Sequence, residues 1–393
     1  MLNRRILRVK AMQALYAFNQ AKQAGKNVVL EAIKAKFDPD LNSMELQPAE
    51  EEVAANKKLA QELFKDLLPK DKWEFDAETP ESIREAVTDG IQSYQNALSK
   101  DRKHFKQLMV REVEDIYNRF LKLLILPVAF AEQNALEREK SASRQVKQAE
   151  TFGRYNLSEN KIIKALKEDN GLEALLLKKN ISWNNEGDEV KQWYRSILKE
   201  DEEYLAYSSK KETTEEEDME FLSYIFRAVV FKSEELNNYF ELWDINWAED
   251  RDIIRSLIKK SIKTYDPEGD PKFTLLELSI NWEEDKQYFE DLYKHTIENA
   301  DRYDEILAEK SKNWDIDRIS MTDKIIIEMA LAEMINFPSI PVKVSINEYI
   351  ELSKNYSTPK SKQFVNGVLD VLATELQKTG IIRKSGRGLI DNR

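Results

Sequence analysis

The residues that most suggest chemistry lie at the start of the chain, where basic side chains follow one another without an acid. Residues 1–26 contain six lysines and arginines and no aspartate or glutamate. Three of them, Arg4, Arg5 and Arg8, fall in the first turns of a predicted helix, where the helix dipole favours acids instead. A basic cluster kept at this small electrostatic cost points to an anionic partner.

Two other interpretations of the same segment stay open. It fits an ordinary basic helix with a solvated surface. Its acid-poor, amphipathic character also resembles a transit peptide or a membrane-surface helix. Against the latter, the segment is poor in serine, and its apolar stripe continues without a break to Phe18.

Motifs for catalysis or for a bound cofactor are missing from the sequence. It has no glycine-rich phosphate loop, no Gly-x-Ser-x-Gly elbow and no histidine pair at zinc-ligand spacing. The two histidines, His104 and His295, stand alone, and without cysteine there are no disulfides, thiolate metal sites or cysteine nucleophiles. Carboxylates are abundant, so a carboxylate-pair enzyme stays open, but no pair stands out. We predict a protein that is not an enzyme and uses neither metal nor cofactor.

The composition favours a soluble, mostly helical protein. Of 393 residues, 41% are hydrophobic and 34% are charged, with only 10 glycines and 10 prolines, which counts against a sandwich or barrel. The best apolar run, 123–131, is short and contains Pro127, so we predict no bilayer-spanning segment. The lack of cysteine fits a reducing compartment, and we expect a cytoplasmic protein.

The charge is unevenly distributed along the chain. The total is −12, yet residues 1–26 carry +6 and residues 310–393, with thirteen basic and ten acidic residues, carry +3, so the middle holds about −21. Such an acidic chain is not an obvious nucleic-acid binder. Because phosphate binding depends on the local field, two positive ends still allow it.

Three helices in quick succession are predicted between Trp314 and Leu376. Their starts are the capping-box sequences Ser320–Asp323 and Ser345–Glu348 and the pair Thr358–Pro359. Pro338 ends the first helix because it has no N–H to donate, and Gly380 follows the last, where a left-handed residue is preferred. This stretch indicates a packed platform with a polar, mildly basic edge.

The remainder of the chain is predicted to be helical as well. The first helix begins after Asn3 and runs to about Ala24. Further helices are expected at 50–68, 81–98, 102–150 with a break near Pro127, 158–167, 172–179 and 188–199. Residues 265–271 indicate a loop. A weak internal echo, in which each copy has an acidic start, an aromatic helix, a tryptophan (Trp247 or Trp314) and an isoleucine-rich helix, fits either a duplication or coincidence.

Three parts of the sequence together resemble the NusB family of transcription antitermination factors. The start, from Arg4-Arg5 through Arg8 to Gln13-Ala14-Leu15-Tyr16, resembles that family's arginine-rich first helix. The string Tyr288-Phe289-Glu290-Asp291-Leu292 is similar to its Tyr-Phe-Arg-Asp-Leu helix. The most specific resemblance is Pro341-Val342-Lys343-Val344-Ser345-Ile346-Asn347-Glu348 followed by Phe364-Val365-Asn366-Gly367-Val368-Leu369-Asp370. The resemblance as a whole covers about residues 1–22 and 283–380.

The resemblance implies an all-α fold, a NusB-like helical bundle with a large additional helical insertion and no enzymatic activity. The expected segments are the arginine-rich first helix at 1–24, an acidic helical insertion or extension at 25–280, the NusB-like domain at 281–380 and a basic disordered tail at 381–393.

The resemblance also implies partners. NusB proteins pair with the small ribosomal subunit protein also called NusE, and the pair binds the boxA element of nascent ribosomal RNA leaders. This binding helps RNA polymerase read through terminators and so supports rRNA synthesis. We expect boxA-type single-stranded RNA and NusE as direct partners, the RNA polymerase elongation complex as an indirect one, and no membrane.

Site residues follow from the resemblance and from the way proteins hold single-stranded RNA, with basic side chains on phosphates and aromatic ones on bases. The expected RNA-binding residues are Arg4, Arg5, Arg8, Lys10, Tyr16, Lys343, Lys354, Lys360, Ser361 and Lys362. Asp323 and Lys324 are the expected partner-facing residues. Lysine at 360 departs from the family, which often has acids there, and predicts tighter RNA binding. Such a site requires helix 1 to fold back beside 345–376, with Arg5 and Arg8 near Lys343 and Lys360.

Two other functions stay open. The chain fits a non-catalytic protein scaffold whose acidic middle is the working part. It also fits an RNA-binding protein associated with rRNA modification, since NusB-like domains occur fused to rRNA methyltransferases. A methyltransferase would need a β-α-β cofactor domain with a glycine-rich turn, and the sequence shows no such pattern.

Overall fold

The structure is a computed structural model that describes residues 2–39, 49–143, 156–266, 273–310 and 319–392. Over these ranges the chain forms helices and connecting turns, with no β-strand. The predicted all-α fold is therefore confirmed. Trp314 and the Pro- and Gly-rich part of the 265–271 loop lie outside the described residues.

Seventeen α-helices are described. They are α1 (Arg4–Ala35), α2 (Glu50–Leu67), α3 (Glu81–Leu124), α4 (Leu126–Ser143), α5 (Asn156–Glu159), α6 (Lys161–Glu168), α7 (Asn170–Lys179), α8 (Gly187–Trp193), α9 (Glu202–Ser208), α10 (Glu215–Tyr224), α11 (Glu234–Trp243), α12 (Trp247–Ile262), α13 (Trp282–Glu298), α14 (Ala300–Lys310), α15 (Met321–Asn336), α16 (Val342–Tyr356) and α17 (Ser361–Lys378). Short π-helical turns follow α8 and α10, and a 3-10 helix spans Gly386–Asn392.

The chain divides into two compact units. The terminal unit comprises Arg4–Arg111 and Glu283–Arg393, and the central unit comprises Met1–Asn3 and Glu112–Trp282. The predicted boundary after residue 24 differs from this division, because α1, α2 and most of α3 belong to the terminal unit. The predicted insertion at 25–280 stays a prediction.

Helix α1 extends well beyond its predicted end at Ala24. Its second half buries Val29 and Ile33, four residues apart on one face, in a cluster with apolar side chains of α2 and α3. Gly90 on α3 permits this contact, because a Cβ there would lie 2.7 Å from the Cδ1 of Ile33. Tertiary packing therefore carries the helix through Gly25 and past the predicted end, although glycine is a poor helix former.

The three C-terminal helices α15, α16 and α17 are confirmed, with corrected starts. Ser320 caps α15, since its Oγ accepts from the N–H of Asp323 at 3.1 Å. The predicted cap at Ser345 is wrong, because α16 begins at Val342 after Pro341 and Ser345 lies buried inside it. Helix α17 begins at Ser361, so Thr358 and Pro359 form the preceding turn.

The end of α17 follows the expected glycine rule. Gly380 has φ +70°, and the N–H of Ile381 donates to the carbonyl of Leu376 at 3.0 Å, as left-handed helix ends do. The tail beyond differs from the predicted disorder. Lys384 Nζ donates to the carbonyl of Phe337 at 2.9 Å, and Ser385 N–H donates to that of Pro338, so the tail is tied to the α15–α16 turn.

The central unit has a core rich in aromatic side chains that share buried hydrogen bonds. Asn134 donates to the hydroxyls of Tyr194 and Tyr204, at 3.0 and 3.2 Å. Asp218 accepts from the hydroxyl of Tyr207 at 2.6 Å and from the N–H of Lys161 at 2.8 Å. Asn134 and Asp218 thus have hydrogen-bond partners in the low-dielectric interior, where an unpaired polar group is costly. Over the described residues, no helix is long and apolar enough to cross a membrane.

The contact of α2 with α1 and α3 can be tested by truncating a fully buried side chain. Phe64→Ala should destabilise this part of the terminal unit by about 3–5 kcal/mol, because it leaves a cavity in the cluster. Leu59→Ala, at a partly exposed position of the same helix, should cost below about 1 kcal/mol. Hydrogen exchange of α1 and α2 amides measures both. Equal costs would contradict the packing of α2.

Candidate functional site

Helix α1 reaches the C-terminal helices through an apolar stripe and a buried ion pair. Leu7, Ala11 and Leu15 are almost completely buried, and α1 contacts α15. The predicted site requires helix 1 to lie beside 345–376; the structure places α1 against α15 and joins it to α16 through the hydrogen bonds from Arg5 to Glu348. It brings the ends of the terminal unit's sequence together.

The buried ion pair joins Arg8 of α1 to Glu333 of α15. Arg8 Nε and Nη2 each donate to one carboxylate oxygen of Glu333 at 2.8 Å. Ser345 Oγ donates to Oε1 at 2.7 Å, and the hydroxyls of Tyr288 and Tyr349 donate to Oε2. The carboxylate of Glu333 therefore accepts hydrogen bonds from side chains of α1, α13 and α16.

Electrostatics explain why this group stays charged. Burial alone would raise the pKa of Glu333, but the Arg8 guanidinium outweighs burial and holds that pKa below its usual value. Burial likewise would lower the pKa of Arg8, and Glu333 reverses the effect and raises it. The pKa of both Tyr288 and Tyr349 lies well above its usual value, chiefly through burial and then through Glu333, so both hydroxyls remain donors.

The other two arginines of the cluster lie nearer the surface. Arg5 Nε and Nη2 both donate to Glu348 of α16 at 2.8 Å, and the Arg5 side chain is 49% exposed. Arg4 Nη2 donates to Glu284 at 2.8 Å, and its guanidinium lies 4.6 Å from the ring centre of Tyr288. The three arginines thus differ sharply in depth.

Burial corrects two of the predicted RNA contacts. The side chain of Arg8 is 4% exposed, and Lys10 is also buried. Neither can meet a phosphate on the surface of this fold without leaving its buried position. Sequence spacing could not reveal this, because Arg8 follows Arg5 by one helical turn and both belong to the same basic run.

A second correction concerns Asp323 and Ser361. Both are buried, and Ser361 Oγ donates to Asp323 Oδ2 at 2.8 Å, which ties the start of α17 to the start of α15. Asp323 is therefore unsuited to the exposed partner-facing role, and Ser361 to a direct RNA contact. Lys324 is partly exposed and binds Asp304 at 2.7 Å, so its predicted partner role stays open.

The predicted lysines do not all share one face. Lys343 and Lys354 are exposed on α16, but they lie five and six residues from Glu348, which is about 140° and 120° around the helix. They therefore face away from the Arg5 contact. Lys360 and Lys362 are exposed at the start of α17. All four stay predictions as RNA contacts.

Tyr16 connects the Arg5 surface to the start of α17. It is 41% exposed and lies eleven residues after Arg5, which places both on one side of α1, about 16 Å apart along its axis. Gln20 donates to the Tyr16 hydroxyl at 3.2 Å and to Met321 Sδ at 3.6 Å. Met321 adjoins the buried pair that holds Ser361, with Lys360 and Lys362 on either side.

A separate cavity of about 450 Å³ lies between α1, α14 and α15. Its wall includes Lys324 and Glu328, whose Nζ and Oε1 are 3.7 Å apart. Burial raises the pKa of Glu328 to about 7, although Lys324 opposes this effect. Within the described residues, no cluster of carboxylates and histidines is arranged to hold a metal ion.

Sequence reasoning missed the acids Glu328, Glu333 and Glu348. A signal for Glu333 existed, because α15 is apolar on every side from Ile325 to Met334. A helix that is hydrophobic all round is buried, and a carboxylate inside it needs a basic partner. Which arginine supplies that partner depends on the tertiary fold.

Removing the buried carboxylate should test how strongly it holds α1. Glu333→Ala leaves Arg8 charged in the interior without its two short hydrogen bonds to Glu333, so we expect a loss of about 3–5 kcal/mol in unfolding free energy of the terminal unit. Glu375→Ala, which breaks only the surface pair with Lys378, should cost below about 1 kcal/mol. Hydrogen exchange of α1 and α15 distinguishes the two. Similar small losses in both variants would show that the buried pair does not anchor α1.

A pH dependence follows from Glu328. Its pKa is higher in the folded chain than in the unfolded chain, so its contribution to stability is greatest below about pH 4.5 and declines as pH rises through 7. Glu328→Gln resembles the protonated acid, and it should be more stable than the parent at pH 8 by about 1–3 kcal/mol, with no difference near pH 4.5. Denaturant unfolding at both pH values measures this. A variant whose difference from the parent is the same at both values would contradict it.

Comparisons with known proteins match part of this chain. Residues 257–374 match the model of the NusB family. The transcription antitermination protein NusB of Chloroherpeton thalassium is 45% identical over 95 residues, which are 24% of this chain and 45% of that protein. The NusB of Salinibacter ruber is 43% identical over 95 residues, 24% of this chain and 59% of its own length. The chain thus spans about half the length of these curated relatives.

A solved structure of T. maritima NusB has 26% sequence identity and covers 39% of this chain and 91% of its own, with a TM-score of 0.23. A TM-score this low does not establish a shared overall fold. The family model leaves out α1, whose assignment to the domain stays a prediction. It does include Glu333, Glu348 and the strings at Pro341 and Phe364. Residues 257–374 of this helical chain are thus the part that is similar to the NusB family.

Proposed function

We propose that this protein is a non-catalytic, RNA-binding transcription antitermination factor. It would bind boxA-like RNA of nascent rRNA transcripts together with the ribosomal protein NusE, and so promote rRNA transcription. The observation that carries the proposal is the half-exposed Arg5 on a helix that contacts α15 and α16 of the NusB-family domain. The curated relatives of that domain are transcription antitermination proteins by name.

The exposed residues around Arg5 suit single-stranded RNA. Arginine presents a planar fork to a phosphate, and an exposed tyrosine offers a face on which a base can stack. Arg5 and Tyr16 lie on one side of α1, and Lys360 and Lys362 lie beyond Met321 at the start of α17. A strand crossing this surface would meet a guanidinium, an aromatic ring and then two ammonium groups.

The depth of each arginine refines the proposal. Arg8 acts as an anchor of the fold, because Glu333 binds it in the interior. Arg5 is left as the principal phosphate contact of α1, with Arg4 at the edge. We assign the surface that binds NusE to the exposed residues around Lys324.

The proposal is tested by removing Arg5 alone. Arg5→Ala should weaken binding of a boxA-like RNA roughly fivefold, the equivalent of about 1 kcal/mol, and should reduce the salt slope by about 0.7 because one phosphate contact is lost. Fluorescence anisotropy with labelled RNA, with and without NusE, across salt concentration measures both. Arg8 is left intact because its loss would disturb the fold.

Lys58→Ala is the matched control, since it removes one exposed cation from α2, away from this surface. It should leave both affinity and slope nearly unchanged. If the parent fails to bind the RNA in the presence of NusE, the proposed function is wrong. If the parent binds and Arg5→Ala behaves as Lys58→Ala does, the site is wrong.

A further inference from the structure

The carboxylate of Glu348 occupies the edge of the Arg5 guanidinium at which a phosphate would bind. Its Nε and Nη2 groups form one edge of the guanidinium, and both donate to Glu348, one to each oxygen, at 2.8 Å. A phosphate recognised in the bidentate manner uses this same kind of edge and the same two donors. The two acceptors therefore compete for one set of N–H groups.

Glu348 is held in position for this contact before any ligand arrives. Its side chain is only 19% exposed, and one of its oxygens lies 3.6 Å from Nη1 of Arg8. Arg8 is itself fixed by Glu333. The hydrogen bond from Arg5, and next to it the charge of Arg8, lowers the pKa of Glu348, so the carboxylate is ionised at every pH near neutrality.

We infer that Glu348 is an intramolecular competitor for the RNA phosphate at Arg5 and thereby sets the affinity and the anion selectivity of the site. This inference rests on the proposed RNA-binding function. Each binding event exchanges a carboxylate for a phosphate on the same guanidinium. The gain from the phosphate contact is reduced by the loss of the internal pair.

Such a competitor favours long polyanions over small ones. A single free phosphate must displace a carboxylate that is already in place. Because this carboxylate is held beside Arg5 in the free protein, its contact requires no further ordering. A strand held at its other contacts presents its next phosphate at high effective concentration, and so displaces Glu348 more readily. The pair thus suppresses occupancy of Arg5 by mononucleotides and inorganic phosphate.

Arg4 carries a looser version of the same arrangement. Its Nη2 donates to Glu284 at 2.8 Å, and its Nε lies 3.5 Å from Asp285, but Glu284 is 65% exposed. An exposed carboxylate is more mobile and more screened than one fixed beside Arg8. Glu284 should therefore compete more weakly than Glu348, which offers an internal comparison.

The test uses the full-length chain and one labelled boxA-like RNA in anisotropy titrations at several salt concentrations. Glu348→Gln keeps the shape of the side chain and removes its charge. We expect it to tighten RNA binding about two- to fivefold and to steepen the salt slope by up to about 0.7. Glu284→Gln should give a smaller gain. Inorganic phosphate should inhibit RNA binding by the Glu348→Gln variant at lower concentration than by the parent.

The control is Glu62→Gln, which removes one exposed charge from α2 and should leave affinity nearly unchanged. The decisive comparison is the double variant Arg5→Ala/Glu348→Gln, because a competitor that acts through Arg5 has no effect once Arg5 is absent. A gain that persists there, or a Glu348→Gln affinity equal to or below that of the parent, overturns the inference while the proposed function stands. No binding by any variant refutes the proposed function and the inference with it.

Discussion

One buried ion pair, between the guanidinium of Arg8 and the carboxylate of Glu333, determines how the terminal unit is arranged. Either group buried alone would be costly, and their mutual attraction compensates only when the remaining hydrogen-bonding capacity is also filled. Around Glu333 it is filled, by both donors of Arg8 and by the hydroxyls of Ser345, Tyr288 and Tyr349. Because these donors belong to α1, α13 and α16, the position of one carboxylate on α15 constrains four helices at once.

This constraint also explains how one short basic run serves several purposes. Arg8 turns inward and becomes part of the core, Arg5 lies half-exposed against Glu348, and Arg4 lies over the ring of Tyr288 at the edge. Residues of one type, separated by one to four positions, thus occupy three environments. The helix sets the direction of each side chain, and the helices packed around α1 decide which direction is buried.

The sequence was most informative where local rules determine structure. The helical class, the break before Pro127, the cap at Ser320 and the left-handed residue at Gly380 all follow from backbone chemistry within a few residues, and all are present. It failed where partners are distant. Ser345 has the sequence context of a cap but donates to Glu333, and Ser361 resembles a surface residue but donates to Asp323 across 38 positions. No local pattern encodes which acid receives them.

The separation of Arg8 and Glu333 by 325 positions has a consequence for the order of events on the ribosome. Synthesis at about 5–20 residues per second places roughly 16–65 s between the emergence of the two residues. Throughout that interval α1 has neither its ion-pair partner nor the helices that bury its stripe. Residues 112–282 form a nearly contiguous unit, all of whose chain is available before Glu333 is made. The terminal unit is thus completed after the central unit, and Leu7, Ala11 and Leu15 of α1 lack the surface that buries them until α15 has been translated.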